Sequence, residues 1–408
     1  MTATTTFRYS VRDASGKIVK GTIDAESQSA VVAKLRSLGY APITLTPAAK
    51  TGLQRELKLP GVEGRVKLKD FAVMSRQFAT MINAGLSLLR SLSILAEQTE
   101  SKQLARVLGE VTGDVESGTS LSVALTKHPT VFPPLMVNII RAGEVGGFLN
   151  TVLLEVAKTY EAEVRLRSKV KSTMTYPVVV LVMALLAVIG MLLFIVPVFA
   201  AMFDGLGAPL PAPTRLLVFL SSAMKVLAPA LVVLAVAAAI AWGRVKHSER
   251  VRNVVDPAKL KVPVFGRLFQ KIAVSRFTRN LGTLMTAGVP ILQALDVVAD
   301  TSGNTVVAAA VRDVQATVRQ GESLAKPLAD HRVFPTMVVQ MLAVGEDTGA
   351  LDTMLHKISE FYDQEVEATT ESLTALLEPL MIAVLGAVVG SMIIALYLPI
   401  FSVFKYIQ

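Results

Sequence analysis

The chain repeats itself, and this limits the folds open to it more than any other feature. At an offset of 203 residues, Ala84 and Gly85 match Ala287 and Gly288, and Gly118, Ser120 and Leu121 match Gly321, Ser323 and Leu324. After one deleted residue the offset becomes 202. Val131, Phe132 and Pro133 then match Val333, Phe334 and Pro335; Gly143 and Glu144 match Gly345 and Glu346; Gly147 matches Gly349 and Tyr160 matches Tyr362. The register continues into apolar sequence, where Pro177, Pro197 and Phe199 match Pro379, Pro399 and Phe401. Glycines, prolines and aromatics coinciding in register mean that one structural unit is built twice.

Each unit ends in a run long enough to cross a bilayer. Residues 177–203 carry no charge, and at 1.5 Å per residue they exceed the roughly 30 Å hydrocarbon core. The run 379–404 is likewise uncharged, and a third lies between Leu216 and Trp242 with Lys225 inside it, a position read as snorkelling to the outer interface. A mean hydropathy of +0.52 with 18% charged residues fits a membrane protein. Arg165, Arg167, Lys169 and Lys171 precede the first run, and Arg244, Lys246, Arg250 and Arg252 follow the second. The positive-inside rule therefore predicts a cytoplasmic N-terminus and, after three spans, an external C-terminus. No stretch within residues 1–30 is apolar enough for a signal peptide.

Within the unit, Phe71, Met74, Phe78 and Ile82 recur at helical spacing, as do Val274, Phe277, Leu281 and Met285. Asn83-Ala84-Gly85 and Thr286-Ala287-Gly288 should end those helices. From Gly147 to Pro177 nothing breaks the chain strongly, so a polar helix carrying Tyr160 and Glu163 is expected to run straight into the membrane. Ahead of the repeats, Phe7, Tyr9 and Val11 alternate with polar residues, 14–17 read as a turn and 18–23 as a returning strand. Val31, Val32, Leu35 and Leu38 read as a helix ended by Gly39, and Ile43 and Leu45 as a third strand.

The expected fold is a mainly α membrane protein with two repeated cytoplasmic helical bundles, three transmembrane helices and a small N-terminal α/β domain. The expected boundaries are an α/β domain at 1–47, a basic linker at 48–69 and a first repeat at 70–172. A first transmembrane helix at 173–203, an external loop at 204–215 and a second transmembrane helix at 216–242 follow. A basic cytoplasmic linker at 243–272, a second repeat at 273–375 and a third transmembrane helix at 376–404 complete the chain.

Residue chemistry removes several function classes. There is no cysteine, none of the four histidines stands at a short metal-ligand spacing, and no phosphate-loop motif occurs. No catalytic residue, metal ligand or cofactor is expected. Basic charge clusters beside apolar runs without interleaved aromatics, which suits anionic lipid better than nucleic acid.

Four features invite functional readings. Gly143-Glu144 and Gly345-Glu346 read as structural corners with a capping carboxylate or as partner contacts. Residues 280–378 carry 5 basic against 14 acidic residues, or −9, whereas 70–164 carry 7 against 10, or −3; Asp347, Asp352, Asp363 and Glu367 are therefore expected on solvated faces as a docking surface. Gly386, Gly390 and Ser391 form a small-residue row suited to close helix packing, against the chain's own spans or against another subunit or pilin. Tyr176-Pro177 and Glu378-Pro379 mark where the chain enters the membrane. Glu161 and Glu163, two apart, do not share a helical face, which argues against a catalytic pair.

The Ala-Gly steps, the Gly-x-Ser-Leu pair at 118 and 321, Val-Phe-Pro, the Gly-Glu corners and Lys169-Val-Lys-Ser-Thr-Met-Thr-Tyr-Pro177 together resemble the platform proteins of type IV pilus and type II secretion machines, the F-domain family that includes PilC and GspF. The resemblance covers nearly the whole chain. It implies a non-enzymatic inner-membrane scaffold that couples a hexameric cytoplasmic assembly ATPase to insertion of pilin or pseudopilin subunits, without a cofactor and as a small homo-oligomer. A transporter would need paired polar groups within the spans, which are nearly absent; a membrane signalling scaffold is the other alternative.

Overall fold

A computed structural model describes residues 5–12, 18–25, 30–32, 41–47, 66–204, 210–245, 248–263 and 265–403. The expected turn at 14–17, the helix stripe beyond Val32, most of the linker at 48–69 and the middle of the loop at 204–215 lie outside the described residues. Two units, 1–64 and 65–408, are each compact.

In the first unit, β1 (Thr5–Arg12), β2 (Ile18–Ala25) and β3 (Ala41–Pro47) form an antiparallel sheet in the order β2-β1-β3. Phe7 faces Ile23, and Tyr9 faces Gly21 on one side and Leu45 on the other. The period-two alternation of Phe7, Tyr9 and Val11 is what a strand with one apolar face requires. Residues 30–32 are helical.

The second unit is mainly helical. Its first repeat comprises α1 (Leu68–Asn83), α2 (Leu88–Gln98), α3 (Lys102–Glu116), α4 (Leu121–Thr126), α5 (Pro134–Gly146) and α6 (Leu149–Gly190). A π-helical turn (Met191–Ile195) joins α6 to α7 (Val196–Asp204). Then come α8 (Ala212–Val245) and α9 (Glu249–Lys261). The second repeat comprises α10 (Phe265–Thr286), α11 (Ile291–Thr301), α12 (Thr305–Val318), α13 (Ala325–Leu328), α14 (Thr336–Thr348) and α15 (Leu351–Val403). Of the apolar positions that recur along α1 and α10, Phe71, Met74 and Phe78 in one copy and Val274, Phe277 and Leu281 in the other are buried, and Ile82 and Met285 are half-buried. They belong to one core that is continuous across both repeats.

The Gly-Glu corners explain themselves physically. A Cβ on Gly143 would lie 2.2 Å from Val152 Cγ2, and one on Gly345 2.9 Å from Met354 Cγ, so only glycine lets α5 and α14 lie against the helices that follow them. Gly147 and Gly349 end α5 and α14 with φ of 74° and 70°, the left-handed conformation that glycine adopts without a Cβ penalty. The chain can then reverse into α6 and α15 within a residue or two.

Those two helices are the long members of the fold. α6 passes through Pro177, and α15 through Pro379 and Pro399, without interruption. Together with α8 they are the three helices long and apolar enough to cross a membrane among the described residues. Near the far end of the spans, Leu192, Val196, Met392 and Leu396 form a separate buried cluster flanked by Leu217 and Met224 of α8. Ser221 Oγ donates to the Leu192 carbonyl at 2.6 Å within the π turn, and Thr214 Oγ1 donates to the Ala395 carbonyl at 2.5 Å.

Substituting Gly143→Ala is expected to overpack the corner against Val152 and destabilise the protein by about 1–3 kcal/mol. Adding Val152→Ala should return about half of the lost melting temperature, because the clashing methyls are then gone. Thermal unfolding of the detergent-solubilised protein, followed by helical circular dichroism, reads both variants; an unchanged melting temperature for Gly143→Ala alone would contradict the close approach.

Candidate functional site

α6 and α15 leave their bundles side by side and in the same direction, so the join between them carries any displacement passing from bundle to span. Lys169 of α6 pairs with Glu367 and, at 3.1 Å, with Glu371 of α15. Glu371 is the residue that stands at Lys169's own place in the second copy, which puts the two helices in parallel register. Leu166, Val366 and Leu373 pack beneath this pair with Leu268 of α10.

Above that point the two repeats meet through a partly buried polar cluster. Arg276 of α10 grips Glu163 of α6 with two bonds, Nη2 to Oε1 at 2.6 Å and Nε to Oε2 at 3.2 Å, while Arg167 Nε reaches Oε1 at 2.6 Å. Arg279, almost fully buried, pairs with Asp363 of α15 and holds Nη1 3.9 Å from Glu163 Oε2. Ser275 Oγ donates to Asp363 Oδ1 at 2.6 Å. The Thr159 and Thr283 hydroxyls share a bond of 2.9 Å across the join, and Gln293 Nε2 of α11 donates to Asn138 Oδ1 of α5 at 3.2 Å. A cavity of about 240 Å³ lined by Thr159, Tyr160, Glu163, Arg276 and Arg279 opens beside the cluster.

Glu163 lies about 20 Å along α6 ahead of the uncharged run that starts at Pro177. Burial would push its carboxyl up. The charges of Arg276 and Arg167 and their hydrogen bonds outweigh burial and hold it below the usual carboxylate range.

The cluster has an internal counterpart that alignment of the repeats makes visible. Arg279 occupies the place of Arg76, and Asp363 that of Glu161. Arg76 binds Glu161 through two bonds, at 2.6 and 2.5 Å. Glu161 and Glu163 do point different ways, as their spacing implies: one closes its own repeat and the other reaches the next. The sequence reading missed this cluster, although two opposite-charge pairs at equivalent positions were there to be matched.

The residues singled out in the sequence fall into four groups. Glu144 accepts from the backbone amides of Leu121 and Ser122, at 2.6 and 3.1 Å, and from Ser122 Oγ at 2.6 Å; Glu346 accepts from the amides of Leu324 and Ala325 at 2.8 and 3.3 Å. Each carboxylate thus caps the short helical segment of its own repeat, with Gly143 and Gly345 making the close approach beside it. Asp347 is exposed and Asp352 half-buried. Glu367 is exposed, as expected, and pairs there with Lys169, whereas Asp363 is half-buried and tied to buried Arg279. Alternation of charge along a helix cannot distinguish a solvated carboxylate from one facing a neighbouring repeat. In the spans, Gly386 and Gly390 have open space where a Cβ would be and Ser391 is exposed, whereas Met392, Ala395 and Leu396 on the adjacent face are buried. Tyr176, Glu378 and Pro379 are exposed, and Pro177 is buried.

Because Glu163 has its lowered value in the folded state, the stabilisation it supplies is present in full above the ordinary carboxylate pKa of about 4.3 and is lost as pH falls through the lowered one. Glu163→Gln is expected to cost about 3 kcal/mol at pH 7, since it leaves half-buried Arg276 and buried Arg279 short of opposite charge. It should also flatten the acid-induced loss of stability below about pH 4. Melting curves of parent and variant at pH 7 and in the acid range test this; identical curves at both would refute it.

Comparison with known proteins gives a consistent result. The profile described as "Type II secretion system (T2SS), protein F" matches twice, at residues 74–197 and 277–399, and "Type II secretion system protein F, N-terminal domain" matches residues 3–46. The chain is 44% identical to the "Type IV pilus assembly protein PilC" of Myxococcus xanthus, over all of this chain and 97% of that protein. It is 43% identical to the PilC of Thermus thermophilus, over 97% of this chain and 98% of that one. Identity to the "Type II secretion system protein F" of Pseudomonas aeruginosa is 32%, over 97% of this chain and 98% of that protein. With both copies of its helical unit matched in register and relatives aligned over nearly their whole length, this chain, which has three helices long and apolar enough to cross a membrane among the described residues, belongs to the type II secretion system protein F family.

Proposed function

We propose that the chain is a non-enzymatic platform of the inner membrane that couples a hexameric cytoplasmic assembly ATPase to insertion of pilin or pseudopilin subunits into a growing fibre. The observation that carries this reading is the pair of uninterrupted helices, α6 and α15, that join bundle to span and are pinned together by Lys169, Glu367 and Glu371. Force applied to either bundle reaches the membrane without a flexible joint. Names borne by relatives, pilus assembly and type II secretion, support the class of machine.

In this reading both repeats and the small α/β domain at 1–47 are cytoplasmic, the C-terminus is external and lipid surrounds three spans. Exposed Asp347 and half-buried Asp352 contribute to the acidic surface that receives the ATPase. The open row of Gly386, Gly390 and Ser391 takes an apolar helix, either a pilin's or another subunit's. The platform works as a small homo-oligomer, and no nucleic acid takes part.

Adding the purified platform in lipid should change turnover by its partner ATPase while the platform alone hydrolyses nothing. Robust hydrolysis abolished by a point mutation within this chain would overturn the reading. For the acidic surface, Asp347→Lys with Asp352→Lys should weaken ATPase binding about tenfold, charge steering being screened by salt, while Glu97→Lys with Glu100→Lys in the first repeat should not. Equal effects would remove the docking role from the second repeat. Reporters placed within 280–360 and after Gln408 should give opposite signals if the topology is as stated.

A further inference from the structure

The contact between the two repeats is not reciprocal. α10 and α11 of the second repeat pack on α5 and α6 of the first, but no comparable packing of α1 and α2 on α14 and α15 occurs among the described residues. A heterologous contact of this kind always leaves two unused faces, one at each end. Here they are the α1–α2 face of the first repeat and the α14–α15 face of the second.

Both unused faces show what they lack. Thr283, at the join, is 1% exposed, and Ala287 and Val289 at the same corner are buried. Their counterparts Thr80, Ala84 and Leu86 are all exposed, Leu86 at 37%, and Val73, the counterpart of Arg276, is 47% exposed. A groove of about 320 Å³ lined by Val73, Arg76, Glu161, Val164 and Arg165 runs along this face. At the other end Val344 and Phe361, the counterparts of Ala142 and Thr159, are 53% and 41% exposed.

Moving the observed contacts along by one repeat gives the residues that would meet between two chains, where Arg276 with Glu163 becomes Val73 with Glu365 and that ion pair is replaced by an apolar contact. The join of Arg279 with Glu163 becomes Arg76 with Glu365. Lys169 with Glu367 becomes Glu371 with Arg165. Thr159 with Thr283 becomes Phe361 with Thr80, and Asn138 with Gln293 becomes Gln340 with Arg90. Nothing in the repeat alignment obliges these transposed pairs to be compatible, yet the two pairs that stay charged, Arg76 with Glu365 and Glu371 with Arg165, join opposite signs and no pair joins like charges. The Lys169 contact even exchanges its signs between the two sides and remains complementary.

We infer that the α1–α2 face of one copy docks on the α14–α15 face of a second copy, reusing between chains the contact that joins the repeats within one. Both repeats send the same helix into the same membrane in the same direction, so the operation relating them keeps the membrane normal. Repeating it arranges copies side by side in the plane of the membrane, in an arc or closed ring. The inference deepens the self-association in the proposed function and rests on that part alone.

The chain has no cysteine of its own, which makes thiol cross-linking clean. Two differently tagged full-length chains, one with Arg90→Cys and one with Gln340→Cys, are co-expressed and treated in membranes with a short bismaleimide. The product joining the two tags should exceed by at least tenfold any product from either variant expressed alone. Asn138→Cys with Gln293→Cys in a single chain, which should cross-link internally, reports that the repeats are correctly joined. Linkage of Arg90→Cys chains to one another, or of Gln340→Cys chains to one another, would mean a two-fold contact and overturn the inference. So would absence of product when the internal control reacts. Co-purification of the two tags without cross-linking would then show that self-association stands and only this surface is at fault.

Discussion

A backbone that enters lipid must bring its own hydrogen-bond partners with it, because no water is there to replace them. The architecture depends on this constraint. It favours a membrane segment that is already helical when it arrives, and α6 and α15 meet it by beginning inside the bundles and continuing through Pro177 and Pro379. A proline within a helix forfeits one backbone bond, and neither proline interrupts its helix here. The rest follows from having two such rods: they must be held parallel, which Lys169 and the Glu163 cluster do, and each must be turned sharply out of its bundle, which the Gly-Glu corner does.

The corner shows how one short motif meets several requirements together. Glycine at 143 removes the Cβ that would strike Val152, the neighbouring Glu144 reaches back to the first amides of a different helix, and Gly147 reverses the chain. A capping carboxylate acting across from another helix satisfies amides that would otherwise be buried without partners. The same solution appears at Gly345, Glu346 and Gly349, so it is a property of the unit and not of one copy.

Much of this was legible in the sequence for identifiable reasons. The helical period of Phe71, Met74 and Phe78, the alternation of Phe7, Tyr9 and Val11, and the charge-free runs each report a local rule, and local rules survive in one dimension. The repeat was legible because glycine and proline have few substitutes where backbone geometry is special. What stayed hidden was the join between copies. Asp363 and Glu367 resemble any carboxylates on a polar helix until Arg279 and Lys169 arrive from elsewhere in the chain, and the open side of Gly386 and Gly390 depends on which face of α15 the other spans happen to take.

The π turn at Met191–Ile195 has a consequence for how the first span is oriented. One residue more in a single turn rotates everything beyond it by about 100° relative to an uninterrupted α-helix, so the near and far halves of the span present different sides to their neighbours. Apolar helices in lipid gain little by choosing one rotational phase over another. A hydroxyl bound to a carbonyl does discriminate, and Ser221 makes such a bond to Leu192 inside the turn. The far half of the first span, carrying Val196 and Phe199, is therefore indexed to the second span by a polar latch, while its near half answers to the bundle.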